Sequence, residues 1–310
     1  MARYVGRRAL YTLVVLFIAS IVVFYGLRVA PGQPDSTLFN PYASQAAKNA
    51  LRNELGLDKP VVVQYLDFLG NLFRGDLGHS IKSGQSIPTL IGQYGKNSLL
   101  LVGAAALFTY LLAVPLGVIA ALRRGGVVDH VLTAFASVAM GIPNFLLGLI
   151  LVLTIGSSLH WLPISGTGGI KHLILPVIAL SGEGIGVSLR LMRSSMVEQL
   201  DQDYVRALRA KGLSEWHIVW RRVLRNGLLP IVSLSGIQVG ALVGYTAIVE
   251  IIFRWPGLGQ LLVSSVLQRD YPVALWLSLL LTASVVLANF VANVVYAIVD
   301  PRIRIRSAAV

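Results

Sequence analysis

Residues 97–122 read NSLLLVGAAALFTYLLAVPLGVIAAL, twenty-six positions without one Asp, Glu, Lys or Arg. A helix rises about 1.5 Å per residue, so roughly 20 such residues cross the ~30 Å hydrocarbon core of a bilayer. Four more charge-free runs lie at 9–27, 131–170, 226–249 and 271–299. A sixth, 173–191, is interrupted only by Glu183 and Arg190. The composition agrees: of 310 residues 55% are hydrophobic and 13% charged, with a mean hydropathy of +0.72, where soluble domains carry about 25% charged residues. A water-soluble or disordered chain is excluded. The fold expected is all-α, a polytopic membrane protein of six transmembrane helices near 9–29, 98–122, 131–156, 172–193, 228–252 and 273–299, in one integral domain over 1–310. The first run is longer than the apolar stretch of a secretory leader and ends in Val29-Ala30-Pro31-Gly32, so it is read as a retained span.

The net charge of +12 follows the membrane topology. An even number of spans leaves both termini on one side, and short cytoplasmic segments collect Lys and Arg. The segments then placed inside hold sixteen basic residues, including Arg123, Arg124 and eight between Arg190 and Arg225. The short outer segments hold four: Arg28, Lys171, Arg254 and Arg269. Both termini are therefore expected in the cytoplasm of a multi-pass inner (plasma) membrane protein in contact with the lipid bilayer. The basic excess is topological and gives no argument for nucleic acid.

Residues 30–97 form a long extracytoplasmic loop that the charge rule does not count. Residues 43–55 read as a polar amphipathic helix, and Lys59-Pro60 puts Pro at the start of another over 61–73. Arg254-Trp255-Pro256-Gly257-Leu258-Gly259-Gln260 predicts a sharp turn into a short helix at the membrane surface.

The inner segment 194–227 is too long for a connector. Alanines and long side chains before Gly212 favour a helix, Gly212 permits a left-handed turn, and Ser214 is a candidate N-cap of a second helix. The result is an elbow with apolar Leu213, Trp216 and Ile218 flanked by Arg and Lys. Such a knob suits a groove on a soluble protein; the same pattern also suits the surface of an anionic bilayer.

This loop resembles the EAA loop of the permeases of ABC importers, with Arg206-Ala207-Leu208 in the Glu-Ala-Ala position and Gly212 four residues further on. The likeness is to the dipeptide, oligopeptide and nickel branch and runs along nearly the whole chain. It includes Leu27-Arg28-Val29-Ala30-Pro31-Gly32, Leu55-Gly56-Leu57-Asp58-Lys59-Pro60, Arg74-Gly75-Asp76-Leu77-Gly78, Val249-Glu250, Trp255-Pro256-Gly257-Leu258-Gly259 and Tyr296-Ala297-Ile298-Val299-Asp300-Pro301-Arg302. Departures are Arg206 for Glu, Leu208 for the second Ala, and Leu224-Arg225 where Leu-Pro is usual; they resemble the first of the two permeases in such systems. The resemblance implies the type I ABC importer permease fold, a heterodimer with a second homologous permease, two cytoplasmic ATP-binding subunits and an extracytoplasmic substrate-binding protein. ATP and Mg would be bound by the partner subunits, with no cofactor in this chain. Arg206, Ala207, Leu208, Ala210, Lys211, Gly212, Leu213, Ser214, Glu215 and Trp216 would couple to the ATPases. Peptides are the implied cargo, with nickel chelate, glutathione or another solute as alternatives.

Three intramembrane polar residues are candidates for the pathway or its gate. A charge at mid-span costs a few kcal/mol unless it faces protein or water, which singles out Glu183 in Ser181-Gly182-Glu183-Gly184-Ile185-Gly186. It meets either a substrate amino group or another subunit, or else pairs with Arg190 two turns on. Glu250 stands at the outer end of the fifth span, as a gate, an Arg254 contact or a plain interfacial charge. Asn144, after Ile142-Pro143, accompanies a helix kink. The glycine run lacks a preceding strand and is no phosphate loop, and no Gly-x-x-x-x-Gly-Lys-Ser/Thr occurs. Histidines 79, 130, 160, 172 and 217 show no metal-ligand spacing, and there is no cysteine. No catalytic residue is assigned, and the chain is expected to be non-enzymatic. The rival from another class is a membrane-embedded hydrolase using Glu183 with an outer histidine.

Overall fold

The computed structural model describes residues 2–29 and 59–299. The amphipathic helix expected at 43–55 lies outside the described residues, as do Arg302, Arg304 and Arg306. Helix α1 is Ala2–Val29 and α2 is Val61–Arg74; α3 is Ile87–Leu122 and α4 Val127–Gly141. Helix α5 (Asn144–Leu151) runs on into a wider π-turn segment, Val152–Ser158. Then follow α6 (Ile170–Leu200), α7 (Asp203–Ala210), α8 (Glu215–His217) with a second π segment, Ile218–Val223, α9 (Leu224–Gly227), α10 (Leu229–Ile252), α11 (Leu258–Leu267) and α12 (Tyr271–Val299). No strand occurs among the described residues.

Five of these helices, α1, α3, α6, α10 and α12, are long and apolar enough to cross a bilayer, and a sixth crossing is available from α4 and α5 together. That pair is bent by 100°. Pro143 has no amide hydrogen and biases Ile142 toward extended backbone, which it adopts at φ −96° and ψ 114°. The sequence suggests a kinked rod here; the chain instead turns a corner and starts a new helix at Asn144.

Burial explains the unequal apolarity of the spans. In α6 61% of the most apolar window is buried inside the protein, against 28% or less in the other single-helix spans, and α6 has the lowest hydropathy of the five. A helix packed against α3, α4, α5 and α10 turns less of its surface outward than the other spans and can carry Ser181, Glu183 and Ser188. Contact with α4 is close: a Cβ on Gly186 would lie 2.6 Å from the Ala136 carbonyl oxygen. Leu13, Phe17 and Val22 on α1, and Leu99, Leu107 and Leu111 on α3, are exposed as lipid-facing residues should be.

At one end of the bundle the elbow α7–α8 packs on the spans. Val205, Ile218, Val219 and Val223 are buried against Val118, Ala121, Met192 and Met196 of α3 and α6. The same end is tied electrostatically. Arg193 donates through Nε and Nη2 to the two carboxylate oxygens of Asp129 (2.5 and 2.6 Å), and Arg124 meets Asp201 at 3.1 Å. At the opposite end Tyr65 and Phe68 of α2 pack with Phe24 of α1 and Trp276 of α12. Asp270 accepts from Ser80 Oγ and the Ile81 amide, which pins the loop after α2 to the start of α12.

Candidate functional site

Three places hold the residues singled out from sequence: an exposed elbow, a buried carboxylate and a cavity. The first is the elbow. Helix α7 stops in a Schellman turn: Gly212 N–H donates to the Arg209 carbonyl at 2.9 Å and Leu213 N–H to the Leu208 carbonyl at 3.4 Å. Gly212 sits at φ +78°, the left-handed region that glycine enters without cost. Leu208 and Leu213, brought together by the turn, join the apolar cluster under the elbow. Ser214 then caps α8, its Oγ accepting from the His217 amide at 3.4 Å. Across the turn Arg209 Nε donates to Glu215 Oε1 at 2.6 Å and Nη2 to Oε2 at 3.2 Å. That hydrogen-bonded pairing, and then its charge, lowers the Glu215 pKa and raises that of Arg209.

The two faces of the elbow differ. Arg206, Ala207, Arg209, Ala210, Lys211, Gly212, Ser214, Glu215 and Trp216 are all exposed, while Val205 and Ile218 are fully buried beneath them. Trp216, 72% exposed, leans on Trp220 with ring centroids 5.2 Å apart. An outward Trp among cations on a base welded to the spans is suited to seat in a partner's pocket.

Glu250 lies at the far end and is fully buried. Its carboxylate accepts from Ser98 Oγ (2.6 Å), the Gly259 amide (2.7 Å) and the Gln260 amide (3.1 Å). Its carbonyl accepts from Trp255 N–H at 2.8 Å, and Ser98 Oγ in turn accepts from the Leu258 amide at 2.8 Å. The contact with Arg254 raised from the sequence does not form; Arg254 instead occupies the left-handed position (φ 44°) that ends α10. Glu250 thus closes the turn 253–260 and holds the start of α11 to α3. A Cβ on Gly259 would lie 2.3 Å from Ala247 Cα, so glycine is what lets α11 reach the carboxylate.

Glu183 and Asn144 come together at the third place, a cavity of about 200 Å³ between α3, α5, α6 and α10, which Thr109, Tyr110, Gln238 and Tyr245 also line. The alternative pairing of Glu183 with Arg190 is not made: Arg190 points to α4 and donates to Ser137 Oγ at 2.8 Å. Gln238 braces the wall, its Oε1 accepting from Tyr110 OH (2.6 Å) and Ser188 Oγ (2.9 Å). Sequence reading passed over Gln238, Tyr110, Ser98, Asp129 and Asp270. Gln238 had a signal, a large amide inside a charge-free run; the partners of the others are set by distant segments. Among the described residues no group of three His, Asp or Glu that could hold a metal ion occurs.

The structure gives an all-α bundle with five or six candidate spans and a polar elbow at one end, and the comparisons give its class. The chain belongs to the family described as binding-protein-dependent transport system inner membrane component, which matches residues 113–305, with the family's N-terminal part matching 1–115. It is 37% identical over 317 residues to the oligopeptide transport system permease protein AppB of Bacillus subtilis, covering 98% of this chain and 99% of that one. It is 36% identical over 304 residues to the glutathione transport system permease protein GsiC of Escherichia coli K12, covering 98% and 99%. Among solved structures, inward-facing forms of the MetNI methionine ABC transporter match with a TM-score of 0.57 at 20% identity, over 68% of this chain and 96% of that one. The fold is that of a type I ABC importer permease, in a multi-pass inner membrane protein whose family works with ATPase and other permease subunits. The family is one of transport permeases and not of catalysts, which leaves the membrane hydrolase without support.

Proposed function

We propose that this chain is one of two permease halves of an ATP-driven importer of short peptides. It forms half of the translocation pathway and takes its drive from ATPases through the elbow. The observation that carries this is the elbow itself: an exposed Trp216 and a basic rim on a turn fixed by Gly212 and by the Arg209–Glu215 pair. Its base is buried against α3 and α6, so a load applied at the elbow reaches the spans as rigid-body motion rather than as local flexing. The AppB relative supports peptide as cargo and the GsiC relative supports glutathione, itself a peptide.

In this reading the elbow end, rich in Arg and Lys, faces the cytoplasm together with both termini, as the basic-residue bias demands. The opposite end, with α2 and α11, receives solute from an extracytoplasmic binding protein. Two ATP-binding subunits hold ATP and Mg, and a homologous permease completes the pathway. Glu183 and Asn144 line that pathway, and Glu250 acts as a brace behind it. Purification from native membranes in mild detergent tests the assembly. A second permease and a subunit bearing the Gly-x-x-x-x-Gly-Lys-Ser/Thr loop should accompany this chain in fixed ratio. Recovery of the chain alone, intact and folded, from membranes that contain those proteins would overturn it.

A further inference from the structure

The Glu183 cavity has a chemical bias that the transporter reading does not by itself require. The Glu183 carboxylate has neither an ion pair nor a hydrogen bond among the described residues. Its neighbour Asn144 is 7% exposed, and its Oδ1 is a buried acceptor without a partner. The Gln238 oxygen is already taken by Tyr110 and Ser188. No Lys, Arg or His is among the residues that line the cavity. Two acceptors with nothing to accept therefore line one space, one of them carrying a formal charge when ionised. A buried acceptor such as Asn144 Oδ1 is rarely left unpaired, and the half-buried Glu183 carboxylate, at membrane depth in a cavity without a cation, is costly until a donor meets it. A compact cation with several N–H donors satisfies both and also offsets the charge.

We infer that Glu183 and Asn144 form a transient subsite for the protonated α-amino group of the peptide in transit, so that the permease as well as the binding protein discriminates for a free amino terminus. A primary ammonium offers three donors, enough for the carboxylate and the amide oxygen together. An N-acylated terminus offers one neutral N–H and brings a carbonyl that faces the carboxylate unfavourably. The same logic turns a zwitterionic peptide so that its carboxylate end points away from Glu183. Since the site is a way-station, its hold must be modest: a tight ion pair would trap the cargo.

This inference rests on the peptide-importer reading, and the test separates the two. The complete transporter, both permeases with ATPases and binding protein, is reconstituted in proteoliposomes, and ATP-driven uptake of labelled trialanine and of N-acetyl-trialanine is measured for wild type and for Glu183→Gln. Comparing variant with wild type for each peptide cancels any preference of the binding protein. Loss of a charge-assisted contact predicts that Glu183→Gln slows trialanine about tenfold or more and the acetylated form less than about twofold. Asn144→Leu provides an arm independent of the charge: it too must slow trialanine more than its N-acetyl form. Equal slowing of both peptides by either assembled variant, or no slowing of either, overturns the subsite while leaving the importer standing. A wild-type complex that moves neither peptide with ATP present overturns the peptide reading itself, and the subsite with it.

Discussion

Arg209 and Glu215 stand on opposite sides of Gly212 and join in a two-pronged ion pair, 2.6 and 3.2 Å, that closes the elbow into a ring. Both side chains are largely exposed, and exposed pairs contribute only about 0.2–1 kcal/mol. The pair is therefore a device for holding an angle rather than for holding the fold. Glu215→Gln and Arg209→Gln should leave membrane insertion and thermal stability nearly unchanged. On the proposed coupling role of the elbow they should raise the ATP hydrolysed per peptide imported, a looser elbow transmitting less of the stroke. Parallel uptake and phosphate-release assays on one reconstituted sample read that ratio.

The pair also sets a pH sign. Arg209 lowers the Glu215 pKa below its ordinary value, so the contribution is fully present above the normal carboxyl range, about pH 4.3, and is lost as pH falls through the depressed folded value. Coupling should be flat from pH 6 to 8 as far as this pair is concerned. A wild-type coupling ratio that changes between those pH values, and that Glu215→Gln makes flat, would contradict the assignment.

Gly212 should tolerate substitutions in the order of their access to positive φ. No atom lies within 4 Å of a Cβ built there, so space does not discriminate and backbone conformation does. Asn enters the left-handed region readily; a β-branched residue pays a cost of roughly 1–2 kcal/mol. Pro is locked near −65° and also loses the amide that bonds Arg209. Transport by Gly212→Asn, Gly212→Val and Gly212→Pro should fall in that order, to nothing for Pro, while all three insert normally by protease protection. A fully active Gly212→Pro would contradict the account of the turn.

Trp216→Ala should sever docking without loosening the chain. The ring is mostly exposed, so removing it costs the isolated permease little, whereas interface Trp residues commonly contribute 2 kcal/mol or more. Pull-down of the ATPase subunits by the variant should weaken by at least about tenfold, with the melting temperature of the permease unchanged.

Glu250 predicts the opposite pattern. Truncation to Ala strands Ser98 and the amides of Gly259 and Gln260, at about 1–3 kcal/mol for each group left unsatisfied. Glu250→Ala and Gly259→Val should both lower the detergent melting temperature, and Glu250→Gln, which keeps an acceptor, should do so less. If Glu250→Ala were as stable as wild type yet failed in transport, the residue would belong to the gate and not to the brace.

Much of this molecule is legible in one dimension because a bilayer imposes one-dimensional rules. Charge-free length marks α1, α3, α10 and α12, and α6 is marked by a run broken only by Glu183 and Arg190, a charge at mid-span that must face protein or water. The elbow is readable because its signals are local: alanines, then Gly212, then Ser214 within eleven residues. What escaped reading was long-range. Glu250 finds Ser98 across 152 positions, and Arg193 finds Asp129 across 64, so neither partner leaves a trace in the neighbouring sequence. The corner at Pro143 reads as a kink because Pro fixes the break but not its angle, and the 100° bend is a tertiary feature that the local sequence does not encode.

The central claim is that this chain conducts passively and is driven from outside through its elbow. The most direct test is the initial rate of labelled trialanine uptake into proteoliposomes, measured for the complete complex and for this chain alone, with and without ATP. The account predicts uptake only for the complete complex with ATP, and loss of that uptake in Gly212→Pro. Peptide moved or cleaved by the isolated chain, at a rate indifferent to ATP, would contradict it.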